Sequence, residues 1–251
     1  MNRQTDVPSL RWGFVGTGGI ASAMAEVITT MPLAALRGVS SRRMMGANEF
    51  ADRFDVALRF DDWQTMLESE DIDAIYVATP TSVREEISVA AADAGKHVLA
   101  EKPFVSSASV KRIVEACRRN DVAFMDGTHF VHHPRHHAIK TGMTQLVGHP
   151  WSVASAFQFG LQDRGDIRYN TELEPMGAIG DAAWYNMRAA LEYLPRDAAP
   201  VVVEAVLRRD EGTGAAISGS GVIQFTDGST TTWNCGFDSG ALVMDLCITG
   251  F

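Results

Sequence analysis

The chain has 251 residues, 46% hydrophobic and 21% charged, with a formal net charge of −9. That length holds one large domain or two ordinary ones with a substantial core, and an acidic balance without a Lys/Arg-rich block argues against nucleic acid or an anionic membrane as a partner. Three scattered cysteines (Cys117, Cys235, Cys247), no signal-peptide-like N-terminus and no apolar run of about 18 residues make a reducing cytoplasm the expected location.

In chain order, LRWGFVG (10–16) is a short apolar run ending in glycine, and a helical stretch follows to about residue 31. LAALRGVS (33–40) has strand character, and AIYVATP (74–80) follows an acidic helix near 61–70. From about residue 82 a helix is expected with Val83, Ile87, Ala90 and Ala94 on one face. HVLA (97–100) precedes a helix with Val110, Ile113, Val114 and Cys117 at i, i+3, i+4 and i+7, and VAFMDG (122–127) is the next strand. Such alternation predicts a parallel, doubly wound sheet. After about residue 150, WSVASAFQF, VVVEAVLRR, AAISGSGVIQF, STTTWNCGF and ALVMDLCIT predict longer strands, with one clear helix over 178–194. The expected architecture is α/β over residues 1–127, then an α+β domain with a mostly antiparallel sheet over residues 128–251.

The first strand runs into GTGGIA. Gly16 permits a tight turn, Gly18 lets the backbone approach a pyrophosphate, and the small Ala21 lets the helix pack close to the strand. The helix N-terminus offers its free N–H groups and positive dipole end. Residues Gly16, Thr17, Gly18, Gly19 and Ile20 form the expected cradle of a Rossmann dinucleotide site. At the end of the second strand, an NAD-preferring site would carry Asp or Glu for the ribose hydroxyls. Here Ser40-Ser41-Arg42-Arg43 contains no acid, and Ser41 with Arg42 suits a 2′-phosphate, so NADP is the predicted cofactor.

One stretch poses a question. The apolar strand HVLA ends on Glu101-Lys102-Pro103. Glutamate and lysine are costly to bury, and proline cannot extend a central ladder, so partners at that strand end must compensate.

RWGFVGTGGIA, VATP, GKHVLAEKP and GAIGDAAWY together resemble the glucose–fructose oxidoreductase / inositol dehydrogenase (Gfo/Idh/MocA) family, in particular its dihydrodiol dehydrogenase and NADP-dependent D-xylose dehydrogenase branch. The resemblance implies that Thr79, Pro80, Glu101, Lys102 and Pro103 line the cofactor site. It also implies that Lys102 faces the reacting hydroxyl, with Pro103 shaping the turn, often through a cis bond. It implies a partner in Tyr185, with Asp181 four residues before it on one helical face orienting the sugar or the lysine. Tyrosine's unperturbed pKa of about 10 would fall beside an ammonium, so Tyr185 would take the substrate proton. The expected activity is hydride transfer between a sugar or cyclic polyol hydroxyl and NADP, by a homodimer. The alternatives are a family member that binds nucleotide as a sensor without turnover, and bound-cofactor epimerisation or glycoside cleavage.

The sequence departs from the family pattern in three places. Arg84 stands where a histidine is usual, and His129 and Val131 stand in GTHFVHHPR where Trp and Arg often occur, which makes His129 the candidate substrate residue. The chain is shorter than family members, so the second domain is expected to be incomplete, with an exposed last sheet edge. His132/His136 and His133/His137 have zinc-compatible i, i+4 spacing, but Pro134 intervenes and no acid or cysteine completes a set, so no metal is expected.

Overall fold

A computed structural model describes residues 9–195 and 197–251. The chain divides into two compact units at Gly127/Thr128.

The first unit alternates β1 (Leu10–Val15), α1 (Gly19–Ile28), β2 (Ala34–Ser40), α2 (Met44–Phe54), β3 (Leu58–Phe60), α3 (Trp63–Leu67), β4 (Ala74–Val77), α4 (Thr81–Asp93), β5 (His97–Ala100), α5 (Ser107–Arg119) and β6 (Phe124–Asp126). The strands form one parallel sheet in the order β3-β2-β1-β4-β5-β6. Chain direction across the sheet reverses between β1 and β4. That switch point is where doubly wound sheets open a crevice beyond the strands' carboxyl ends. The core on one face centres on Phe14 and Tyr76, whose rings meet edge to face at 4.9 Å, with Ala21, Ala25, Val39, Phe50 and Leu99 around them. Such a pair adds roughly 0.5–1.5 kcal/mol beyond its area burial.

Three details differ from the sequence reading. The acidic helix near 61–70 is the five-residue α3, capped by the Asp62 carboxylate. The three-residue β3 extends the sheet edge ahead of it. On α4 the buried face carries Thr81, Arg84, Ile87, Ser88, Ala91 and Ala92, whereas Val83 is exposed. Arginine takes an inward position because carbonyl acceptors await it there.

The second unit begins with a 3₁₀ turn (His129–His132) and α6 (Pro134–Val147), then β7 (Pro150–Gly160), a 3₁₀ turn (Ile167–Tyr169), α7 (Gly177–Asp181), α8 (Ala183–Tyr193), β8 (Pro200–Arg209), β9 (Ala216–Phe225), β10 (Thr230–Gly236) and β11 (Asp238–Gly250). The five strands order as β11-β7-β10-β9-β8, antiparallel except for the β7–β10 pair. Ala178, Ala182 and Ala183 pack on Trp233, Cys235 and Phe237 of the sheet, and Ala189, Ala190, Tyr193 and Leu194 pack on Val153. The run of small residues in GAIGDAA lets the helices lie close against the sheet.

The single helix expected over 178–194 is two helices that meet at Ala182. There the Tyr185 N–H bonds the Ala182 carbonyl, a tightened turn, at 3.2 Å. β11 is an edge strand, with β7 as its partner in the sheet. No helix among the described residues is long and apolar enough to cross a membrane.

Candidate active site

The glycine loop follows directly from β1. Gly16 has φ +112°, and a Cβ there would lie 2.5 Å from the Ala78 carbonyl oxygen, so the turn requires glycine. Gly18 and Gly19 differ in kind: their backbone faces space with no heavy atom within 4 Å of a built Cβ. Gly18 is the N-cap of α1 and makes no side-chain cap, and the first turn, which begins with Gly19 and the exposed Ile20, has no acid. The free N–H groups and positive dipole end of α1 therefore open onto an uncrowded cradle, as a pyrophosphate requires.

Next to it lies the end of β2. Gly46 brings the loops together: a Cβ there would meet the Ser41 hydroxyl at 2.9 Å and the Thr17 hydroxyl at 3.7 Å. Arg42 and Arg43 are exposed, and among the described residues no carboxylate pairs with either. α2 starts at Met44 without a side-chain cap or an acid in its first turn. Two hydroxyls, a guanidinium and an uncapped helix start make a site for a phosphate monoester. These residues fit NADP.

The strand end that posed the question is answered inside the same unit. Tyr76 on β4 donates its hydroxyl hydrogen to Glu101 Oε1 at 2.6 Å, and Glu101 is 8% exposed. The carboxylate lies against Gly127, where a Cβ would come within 2.9 Å of its Cδ. The Glu101 carboxylate is thus turned inward to Tyr76, a cross-strand anchor for the turn. Lys102 is half-buried, and its peptide bond to Pro103 is cis.

Arg84 holds this turn from below. Its guanidinium, 4% exposed, donates to the Pro103 and Thr79 carbonyls and, at 3.2 Å, to the Thr81 hydroxyl. It thereby ties the loop of Thr79 and Pro80 after β4 to the loop after β5. Gly16–Ile20, Ser41–Arg42, Thr79–Pro80 and Glu101–Pro103 all follow carboxyl ends of strands of one parallel sheet.

The family model described as "Oxidoreductase family, NAD-binding Rossmann fold" matches residues 10–128. The dTDP-3,4-didehydro-2,6-dideoxy-alpha-D-glucose 3-reductase of Actinomadura kijaniata is 30% identical over 95% of this chain and 71% of its own length. The chain belongs to the Gfo/Idh/MocA oxidoreductase family. Within it, D-xylose 1-dehydrogenase (NADP(+)) 2 of Haloferax volcanii is 28% identical over 92% of this chain and 70% of its own length. The crystal structure of a 3-ketoreductase from Actinomadura kijaniata with NADP and TDP-benzene superposes with a TM-score of 0.89 at 28% identity, covering 96% of this chain and 74% of that one. This Gfo/Idh/MocA chain therefore spans about seven tenths of the length of these relatives.

In the second unit, Tyr185 is half-buried on α8 with Phe157 at 5.1 Å edge to face and Phe130 at 6.2 Å. Its hydroxyl is 3.5 Å from Nδ1 of the exposed His129. Asp181, the last residue of α7, lies four positions before Tyr185, with Ala182 in right-handed helical backbone between the two helices. It accepts from Arg168 Nε at 2.7 Å, and Arg168 also holds Asp166. Burial would depress the guanidinium pKa, but the facing carboxylates raise it on balance, so Asp181 belongs to a fixed ion pair.

The other histidines have separate roles. His132 ends the 3₁₀ turn, and His133 caps α6 by accepting from Arg135 N–H. His136 is buried with Nδ1 2.8 Å from the Tyr193 hydroxyl. Among the described residues no cluster of His, Cys, Asp and Glu is placed to hold a metal. Sequence reasoning missed Arg168, the Glu101–Tyr76 anchor and the Arg84 clamp. Arg84 carried one signal, its departure from the residue usual at that place in the family; Arg168 carried none.

Proposed function

We propose that the chain is an NADP-dependent oxidoreductase that transfers a hydride to or from a carbon of a sugar, most readily the keto or hydroxyl carbon of a nucleotide-linked sugar. The observation that carries the cofactor half is the open glycine cradle beside an acid-free β2 end with exposed Arg42. The substrate half is supported by relatives named as dTDP-sugar 3-reductases and a D-xylose dehydrogenase. In this reading residues 1–127 bind the cofactor and residues 128–251 contribute substrate contacts and the subunit interface.

When bound, NADP supplies or accepts the hydride at the nicotinamide C4. Gly16, Thr17, Gly18, Gly19 and Ile20 would hold its pyrophosphate, and Ser41 and Arg42 its 2′-phosphate. Thr79, Pro80 and Pro103 would shape the nicotinamide end, while Glu101 supports the turn from within. Lys102 offers positive charge to the substrate oxygen as it becomes an alkoxide. Tyr185 delivers or removes the proton at that oxygen. Asp181, held by Arg168, would orient the sugar or the lysine.

The chain is proposed to act as a homodimer in the cytoplasm. Val203, Val206, Leu242 and Met244 on β8 and β11 are 63–75% exposed, an apolar surface that a second copy would cover. Its three cysteines are free thiols, as a reducing compartment allows.

The test is NADPH oxidation with a dTDP-linked 3-keto sugar, beside a fluorescence titration of NADPH binding. Lys102→Ala should lose turnover by about 100-fold or more, the scale of a lost oxyanion-stabilising group, while still binding NADPH. Full activity in that variant would overturn the assignment.

A further inference from the structure

We infer that His129 is the proton-relay partner of Tyr185, a positioning residue that resupplies the proton the tyrosine hydroxyl gives to the substrate. The inference rests on the proposed role of Tyr185.

Three successive residues of the entry turn meet α8 in step. Thr128, fully buried, accepts from Trp184 Nε1 at 2.6 Å. His129 comes next and lies over Tyr185, their rings edge to face at 5.4 Å and Nδ1 3.5 Å from the hydroxyl. Phe130 follows, packing on Tyr185 at 6.2 Å and on the buried His136 at 5.7 Å. The outer two contacts fix the turn against the helix, so the position of His129 is set by its neighbours on both sides. The 3.5 Å separation is long for a hydrogen bond, and catalytic contacts commonly tighten from such distances when a site is loaded.

The surroundings divide the labour. Tyr185 is walled by Phe130 and Phe157, while His129 is exposed. The exposed imidazole reaches water directly, so it can carry protons between water and the tyrosine hydroxyl beside it. In the reductive direction the substrate carbonyl carbon gains a hydride from the reduced nicotinamide, and its oxygen takes the Tyr185 proton, leaving tyrosinate. The imidazolium of His129 passes its Nδ1 proton to that tyrosinate, and water reprotonates the neutral imidazole. The oxidative direction runs in reverse. Among the described residues, the titratable group in contact with His129 is Tyr185 on α8. His132 shares its turn, and Arg188, one turn further along α8, is held by Glu192 at 2.9 Å.

Two readouts test this. In the full chain carrying ¹⁵N-histidine, the His129 resonance, identified by its loss in His129→Gln, should move its titration midpoint by about 0.5 unit or more in Tyr185→Phe, as coupled groups do. An unmoved midpoint overturns the pairing. In turnover of a dTDP-linked 3-keto sugar, His129→Ala and His129→Gln should each lose about 100-fold near pH 7. Free imidazole should restore His129→Ala through the exposed position and leave Tyr185→Phe inactive. A His129→Ala variant with the native rate and pH profile, beside an inactive Tyr185→Phe, overturns the relay and leaves the oxidoreductase reading standing. Should the native chain not turn this probe over, that reading fails for the probe, and the nuclear magnetic resonance shift alone decides the pairing.

Discussion

Two glycines two residues apart in the cradle should respond to the same substitution in opposite ways. At Gly16, alanine meets a backbone at φ +112° that L-residues rarely adopt, a cost of about 1–3 kcal/mol. Its methyl would also press on the Ala78 carbonyl, 2.5 Å from the oxygen and 3.0 Å from the carbon, on the backbone that follows β4. Against this, alanine removes about 0.4–1 kcal/mol of unfolded-chain entropy. The net expectation for Gly16→Ala is about 2 kcal/mol of destabilisation. At about 2–4 °C per kcal/mol for a chain of this length, Tm should fall by about 4–8 °C. Gly18 has ordinary extended backbone, φ −75°, and nothing within 4 Å of a Cβ. Gly18→Ala should leave stability within about 0.5 kcal/mol of the native chain. It should nonetheless weaken NADPH binding by at least about tenfold, because the methyl fills the space the pyrophosphate would use. Differential scanning fluorimetry and NADPH fluorescence titration separate the two effects. Native NADPH affinity in a well-folded Gly18→Ala variant would refute the cradle, and an unchanged Tm in Gly16→Ala would refute the steric argument.

Arg42→Ala should cost NADPH affinity about 10–100-fold and leave NADH binding unchanged, the range for a lost charge-assisted bond, measured by the same titration. Arg84→Ala should destabilise by about 2–4 kcal/mol, seen in urea unfolding, because the Pro103 and Thr79 carbonyls lose their buried donor. Acidification should weaken the second unit through His136, whose pKa burial depresses although Glu192 opposes the shift. A depressed folded pKa means that the unfolded chain binds the proton more readily. The stability contribution is therefore complete above the unfolded value of about 6.5 and lost as pH falls through the folded one. His136→Gln should flatten the Tm-versus-pH curve below pH 6.5, and an unaltered slope would exclude His136 as its source.

Much of the fold is legible in local pattern. Most βα units of the first half announce themselves through an apolar run, a glycine or proline stop and a helical periodicity, because the strands of a buried parallel sheet are apolar on both faces, whereas the three-residue β3 is too short to show a pattern. The glycine loop and the acid-free end of β2 are equally legible, since backbone approach and phosphate charge constrain residue type at fixed sequence offsets. Lys102 and Tyr185 stood out through their motifs.

Local pattern therefore carries most of the succession of elements and the chemistry of short contiguous segments. Tertiary structure decided the long-range pairings. Arg84 looks like a stray charge on α4 until the Pro103 and Thr79 carbonyls come within its reach, 19 and 5 residues away. Asp181 carries no sign in sequence that Arg168, 13 residues earlier, donates to its carboxylate. Glu101 is tolerable in a buried strand end only because Tyr76, 25 residues earlier, lies on the adjacent strand. Similarly, His136 belongs to a histidine-rich surface segment by sequence, yet Tyr193 draws it inward from 57 residues away. Periodicity reports which way a side chain points relative to its own element, whereas a buried polar group is satisfied by whatever another element brings to it.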